Sequence, residues 1–118
     1  MNRAEIDRLL PDAYELIKAN GIASEDGKVQ KTWRGQIASF GAAVSMGSLL
    51  SAVAFFSDQG RAIVEREKLL NVIYDLIKPQ ESNLYEYVKA NRESLLVKEK
   101  VINAAIAVKL ALNLYVLE

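Results

Sequence analysis

Apolar residues recur at three- and four-residue intervals through most of the chain. Ile6, Leu9, Leu10, Ala13, Leu16 and Ile17 form the first such stripe, and Asn2 with Glu5 three positions on has the form of a helix start. A first helix is expected from Asn2 to about Lys18. Pro11 lies inside it, where the missing N–H and the ring clash predict a kink or a split into two pieces. Asn20-Gly21 reads as the stop. A loop over residues 22–27 carries Glu25 and Asp26. Residues 28–40 then resume a helical pattern through Val29, Trp33, Ile37 and Phe40, with Gly41 and Gly47 bracketing an expected break. A third helix holds Leu49, Leu50, Val53 and Phe56, and Ser57-Asp58-Gln59-Gly60 closes it.

Residues 61–77 place Ile63, Leu69, Leu70, Val72, Ile73, Leu76 and Ile77 against Glu65, Arg66, Glu67, Lys68 and Asp75, an amphipathic helix ended by Lys78-Pro79. Ser82 can cap a short helix bearing Leu84, Tyr85, Tyr87 and Val88. Asn91 can cap the last, from Arg92 to about Leu117. That final helix is charged at first and nearly apolar later, so its second half belongs at the centre or at an interface. Six helical segments and no convincing strand alternation predict an all-α fold, a compact bundle of five to six helices forming one domain over residues 1–118.

The run over residues 35–57 contains no charged residue. A helix without a charged face has to be covered by protein, by a partner or by lipid. Its length suits a membrane span, but Gln36, Ser39, Ser45, Ser48, Ser51 and Ser57, together with Gly35, Gly41 and Gly47, argue against a continuous one. A soluble bundle is expected, with no membrane partner.

Charge and composition narrow the chemistry. Fifteen basic and fifteen acidic residues cancel, so attraction for an acidic partner has to come from a local patch. The chain has no Cys and no His, which removes thiolate chemistry, disulfides, most transition-metal sites and the commonest general base at neutral pH. No apolar leader follows Met1-Asn2-Arg3, which favours the cytoplasm. The segment from Gly21 through Gly27 to Lys28 misses phosphate-loop spacing by one residue, and Val29 stands where Ser or Thr is needed. Glu65 and Glu67 point to different helix faces among cations, and the five tyrosines fit apolar helical positions. An enzyme, a cofactor, a metal and a small-molecule substrate are therefore not expected.

Lys28, Lys31 and Arg34 are spaced by three, so on a helix they make one basic stripe suited to phosphate; the plain alternative is a solvated edge offsetting Glu25 and Asp26. Trp33 beside them fits the core better than a stacking platform. Small residues at Ala38, Gly41, Ala42, Ala43, Gly47, Ser48 and Ser51 permit close approach of helices or of subunits.

The block Lys31-Thr32-Trp33-Arg34-Gly35-Gln36-Ile37, followed by Phe40-Gly41-Ala42-Ala43-Val44-Ser45-Met46-Gly47-Ser48-Leu49-Leu50-Ser51-Ala52-Val53-Ala54-Phe55-Phe56, resembles the small helical subunit of type III-B CRISPR (Cmr) effector complexes. In that family a basic-aromatic run leads into a helix, a break with a Gly follows, and a further helix ends in an Ala-Phe pair. Ser45-Met46-Gly47 matches the break and Ala54-Phe55 the ending, while Gly41 stands where the family's Pro is expected. The resemblance extends more loosely through the later amphipathic helices.

What it implies is a non-catalytic component of an RNA-guided antiviral ribonucleoprotein. Its partners would be the backbone subunits, copies of itself, guide RNA and target RNA. Lys28, Lys31 and Arg34 are then expected to face RNA, with Arg61, Arg66, Lys98 and Lys100 as second-rank contacts to RNA or protein. The rival expectation is a helical homo-oligomeric scaffold with no nucleic-acid role.

Overall fold

The computed structural model describes residues 1–57 and 66–118. Among them are six α-helices and two short strands: α1 (Arg3–Ala19), β1 (Lys28–Val29), α2 (Thr32–Met46), α3 (Leu49–Phe56), α4 (Glu67–Ile77), α5 (Leu84–Ala90), α6 (Leu95–Leu112) and β2 (Val116–Leu117). The all-α expectation holds. Ser57 is the C-cap of α3. The expected start of the fourth helix, with Arg61 and Ile63, lies outside the described residues.

The last long helix is the axis of the bundle. It packs against α1, α2 and α4 at once, and this crowding explains its composition. Ala104, Ala105, Ala107 and Ala111 keep its sides narrow, so three neighbours approach closely, while Val97, Val101, Val108 and Leu112 fill the spaces between them. Helices α1 and α6 run parallel. Asn2 donates its backbone N–H to the buried Asn103 Oδ1 at 3.1 Å, and twelve positions further along each chain Tyr115 donates its hydroxyl to the Tyr14 carbonyl. The Tyr14 and Tyr115 rings stack with centroids 4.4 Å apart.

Four local expectations are corrected. α1 passes through Pro11 without a break, because Pro11 sits on its exposed side, where water can take the unpaired carbonyl; Ile6, Leu9, Ala13 and Ile17 hold the buried side. α2 likewise runs through Gly41, which costs a helix about 1 kcal/mol but does not end it. The break falls at Gly47-Ser48 alone, where the Ser48 hydroxyl accepts the Ser51 N–H and starts α3. The short helix is capped by Asn83 and the last by Ser94, while Asn91 closes α5 instead, its side-chain amide donating to the Tyr87 carbonyl.

The fourth correction concerns both ends of the predicted helical pattern. Residues 28–29 are not helical, and the last helix stops at Leu112, not Leu117. Gly27, with φ of 81°, turns the chain so that β1 lies parallel to β2, with Lys28 opposite Val116 and Val29 opposite Leu117. The Val116 N–H donates to the Gly27 carbonyl and the Glu118 N–H to the Val29 carbonyl, each at 3.0 Å.

This pairing positions the site. It ties the chain just before α2 to the chain just after α6, so the start of α2 lies beside the end of α6 and the two helices pack with opposed directions.

Candidate nucleic-acid interface

Lys28, Lys31 and Arg34 are all exposed, but they do not form one helical stripe. Lys28 projects from β1 and is paired with Asp26 at 3.7 Å. The Ser24 hydroxyl donates to the same carboxylate, and chiefly through that bond, with a smaller contribution from Lys28, the Asp26 carboxyl is held below its ordinary range. Lys28 is thus partly neutralised by its own loop, as the solvated-edge reading expected.

Lys31 and Arg34 are different. Lys31 occupies the N-cap position of α2 in helical conformation and offers its helix no side-chain acceptor, and the first turn of α2 contains no acid. Neither Lys31 nor Arg34 is in a salt bridge among the described residues. The positive end of a fifteen-residue helix therefore coincides with two unshielded cations. Trp33 between them is 6% exposed and packs inward, so it anchors the start of α2 and is not a stacking surface.

The second-rank residues lie elsewhere. Arg66 is half-buried just before α4, its guanidinium 4.5 Å from the centre of the Phe55 ring and 5.5 Å from that of Phe56. Lys98 and Lys100 belong to the first half of α6 and are two positions apart, so they point to different sides of it. Lys100 lies close enough to Glu5, at the beginning of α1, to help lower its carboxyl pKa, although Arg8 has the larger effect. From Lys98 to the end of α6 is about 20 Å along the axis at 1.5 Å per residue. The fold hence separates Lys98 and Lys100 from the corner that holds Lys28, Lys31 and Arg34. Arg61 lies outside the described residues.

No family model matches this chain, and no curated protein and no solved structure matches it.

Two cations that sequence spacing left out belong to the same end of the molecule. Lys109 is exposed in the last turn of α6, beside the start of α2, and lies outside any salt bridge among the described residues. Lys68, at the start of α4, brings its ammonium to within 3.4 Å of where a Cβ on Gly21 would stand, on the loop leading to β1. Neither was visible from local spacing, because the β1–β2 pairing and the packing of α4 against α1, which sets Lys68 beside Gly21, bring them there.

Among the described residues, the uncharged run is covered on one side only. Ile37, Phe40, Val44, Leu49, Ala52, Val53 and Phe56 are buried in the core, while Ala38, Ala42, Ser45, Met46, Ser48, Ser51 and Phe55 face outward. Met46 is 87% and Phe55 60% exposed, and the Arg66 guanidinium lies over the Phe55 ring at the edge of this outer side. No helix among the described residues is long and apolar enough to cross a membrane.

Proposed function

We propose that this chain is a non-catalytic, cytoplasmic subunit of an RNA-guided complex, of the kind represented by the small helical subunit of type III-B Cmr effectors. In that role it stacks beside backbone subunits and other copies of itself and helps hold the duplex between guide and target RNA. The observation that carries the reading is the exposed pair Lys31 and Arg34 at the uncapped start of α2, set on a chain with no net charge. Such a corner attracts phosphate without attracting nucleic acid over the whole surface. The all-helical bundle and the quoted central block support the same reading. A-form duplex is recognised mainly by backbone and shape, so a few well-placed cations suffice and base pairing supplies the sequence.

Within this proposal Lys31 and Arg34 lead, Lys28 assists after releasing Asp26, and Arg61, Arg66, Lys98 and Lys100 contact RNA or neighbouring subunits. The test is reconstitution with candidate backbone subunits and guide RNA, followed by titration with complementary target RNA at two salt concentrations. Incorporation with salt-sensitive stabilisation of the duplex is expected. Failure to incorporate, or target affinity unchanged by Lys31→Glu with Arg34→Glu, would overturn it.

The scaffold reading has one observation in its favour, the outward apolar side with Met46 and Phe55. A fixed homo-oligomer in light scattering, together with no RNA response, would select it.

A further inference from the structure

Between α2 and α6 an open groove of about 290 Å³ has a floor built by Ile37, Phe40, Ile102 and Ile106. Its α2 wall is made of small residues: Ala38, Gly41 and Ala42. The groove contains no acid, and its one charged residue is Lys109. Arg34 stands one turn before Ala38 at the same end, because the β1–β2 pairing sets the start of α2 against the end of α6. Lys109 and Arg34 lie outside any salt bridge among the described residues.

Gly41 makes the groove informative. A glycine within a helix is destabilising by about 0.5–1 kcal/mol relative to alanine, so an internal reason for it is expected. There is none among the described residues: a Cβ at Gly41 would meet nothing of theirs within 4 Å, and its φ is not in the left-handed region. A bare backbone at the wall of an open apolar groove makes sense when something outside approaches it closely.

We propose that this groove is the docking site for an amphipathic helix of a protein partner, with an apolar stripe that ends in acidic residues. The wall from Ile37 to Ser45 is about 12 Å long and that from Ile102 to Lys109 about 10 Å, at 1.5 Å per residue. That length takes two turns of helix, with anchors at i, i+4 and i+7. Small residues at Ala38, Gly41 and Ala42 allow the docked backbone to approach, and the anchors fill the space above Phe40 and Ile106. Glutamates or aspartates in the turn beyond meet Lys109 and Arg34, which set the direction of docking. Arg34 is shared with the corner proposed for RNA, whereas Gly41, Lys109 and the apolar floor are not, so the proposal stands whether or not the RNA reading does.

The probe is a synthetic helical peptide of about 16 residues with leucines at i, i+4 and i+7 and two glutamates in the following turn, long enough to hold helix when docked. Its binding to the full chain is measured by calorimetry beside a twin with lysines in place of the glutamates. The glutamate peptide is expected to bind at least about 10-fold more tightly, and Lys109→Glu with Arg34→Glu to invert the preference. Gly41→Leu is expected to abolish binding with the melting temperature unchanged or higher, because its side chain enters open space. Equal binding of the two peptides, or no binding of either, would overturn the proposal. So would decanoate binding to the groove while the peptides are ignored, or self-association removed by Gly41→Leu, which would make the occupant a lipid-like anion or a second copy.

Discussion

Lys78 is the one described residue other than glycine in the left-handed region, with φ 55° and ψ 55°, and it ends α4 by donating its N–H to the Tyr74 carbonyl. Its side chain is exposed, and Pro79 follows, which further disfavours a helical conformation for a residue bearing a Cβ. Lys78→Gly should therefore stabilise the fold by about 0.5–1 kcal/mol, the relief of the left-handed strain exceeding the added freedom of the unfolded glycine. Urea denaturation checks it through a higher midpoint at unchanged slope. Tyr115 offers a test in pH. Burial, and less strongly the neighbouring Tyr14 and Glu15, push its phenol up to about 12. The raised value means that the folded state favours the protonated phenol, which donates to the Tyr14 carbonyl. Its contribution is whole below the unfolded value near 10 and is lost as the pH rises through the folded value. Tyr115→Phe should lower the melting temperature at neutral pH, and the gap between it and the parent should close between about pH 10 and 12. A gap that stays constant across that window would mean that the phenol proton is not what the folded state holds.

At the scale of elements, Ser94 governs the axis of the bundle. Its hydroxyl accepts the Val97 N–H at 3.2 Å, and α6 carries the largest buried set of any described helix. Ser94→Ala should cost about 1 kcal/mol, read as a lower denaturation midpoint, while Ser94→Asp should retain the cap. The sequence pattern supplied the helix but named Asn91 as its cap, and the reason is instructive. Asn91 and Ser94 both precede the apolar run, and spacing cannot say which closes the helix before and which opens the helix after. The same limit explains Asn83 against Ser82. The identities of the helices were legible because each has a buried stripe, such as Ile6, Leu9, Ala13 and Ile17, or Leu69, Leu70, Val72, Ile73 and Leu76. The strands were not, since β1 and β2 are two residues each and pair the beginning of the chain with its end. Val29 and Trp33 happen to be four apart, so a strand, a turn and a helix start read as one helix. For the candidate site this mattered: Lys31 and Arg34 were legible as an exposed basic pair, but Lys109 and Lys68 join their end of the molecule only through non-local packing.

Taken whole, the molecule has no net charge, so what distinguishes one surface from another is the distribution of its cations. Two groups lie at opposite ends of α6. Lys31 and Arg34 sit at the start of α2 without salt bridges among the described residues, whereas Lys100 lies near Glu5 and Lys98 points to another side. Counterion release makes the distinction measurable, because each phosphate neutralised adds about 0.7–0.9 to the slope of log affinity against log salt. In the reconstituted complex, Lys31→Glu with Arg34→Glu should weaken target RNA binding at low salt and flatten that slope by about 1.4–1.8 if both contact phosphate. The pair Lys98→Glu and Lys100→Glu, about 20 Å away, should change the slope by less, as should Lys28→Glu, whose cation is already spent in part on Asp26. Reversal also places anions at an uncapped helix start, where the dipole favours them, so the first pair should not lose folding stability. A melting temperature at or above the parent's, combined with a flattened salt slope, would tie the loss to phosphate contact at this corner. Equal slopes for both pairs would mean that charge acts from the whole surface and that the corner has no special part.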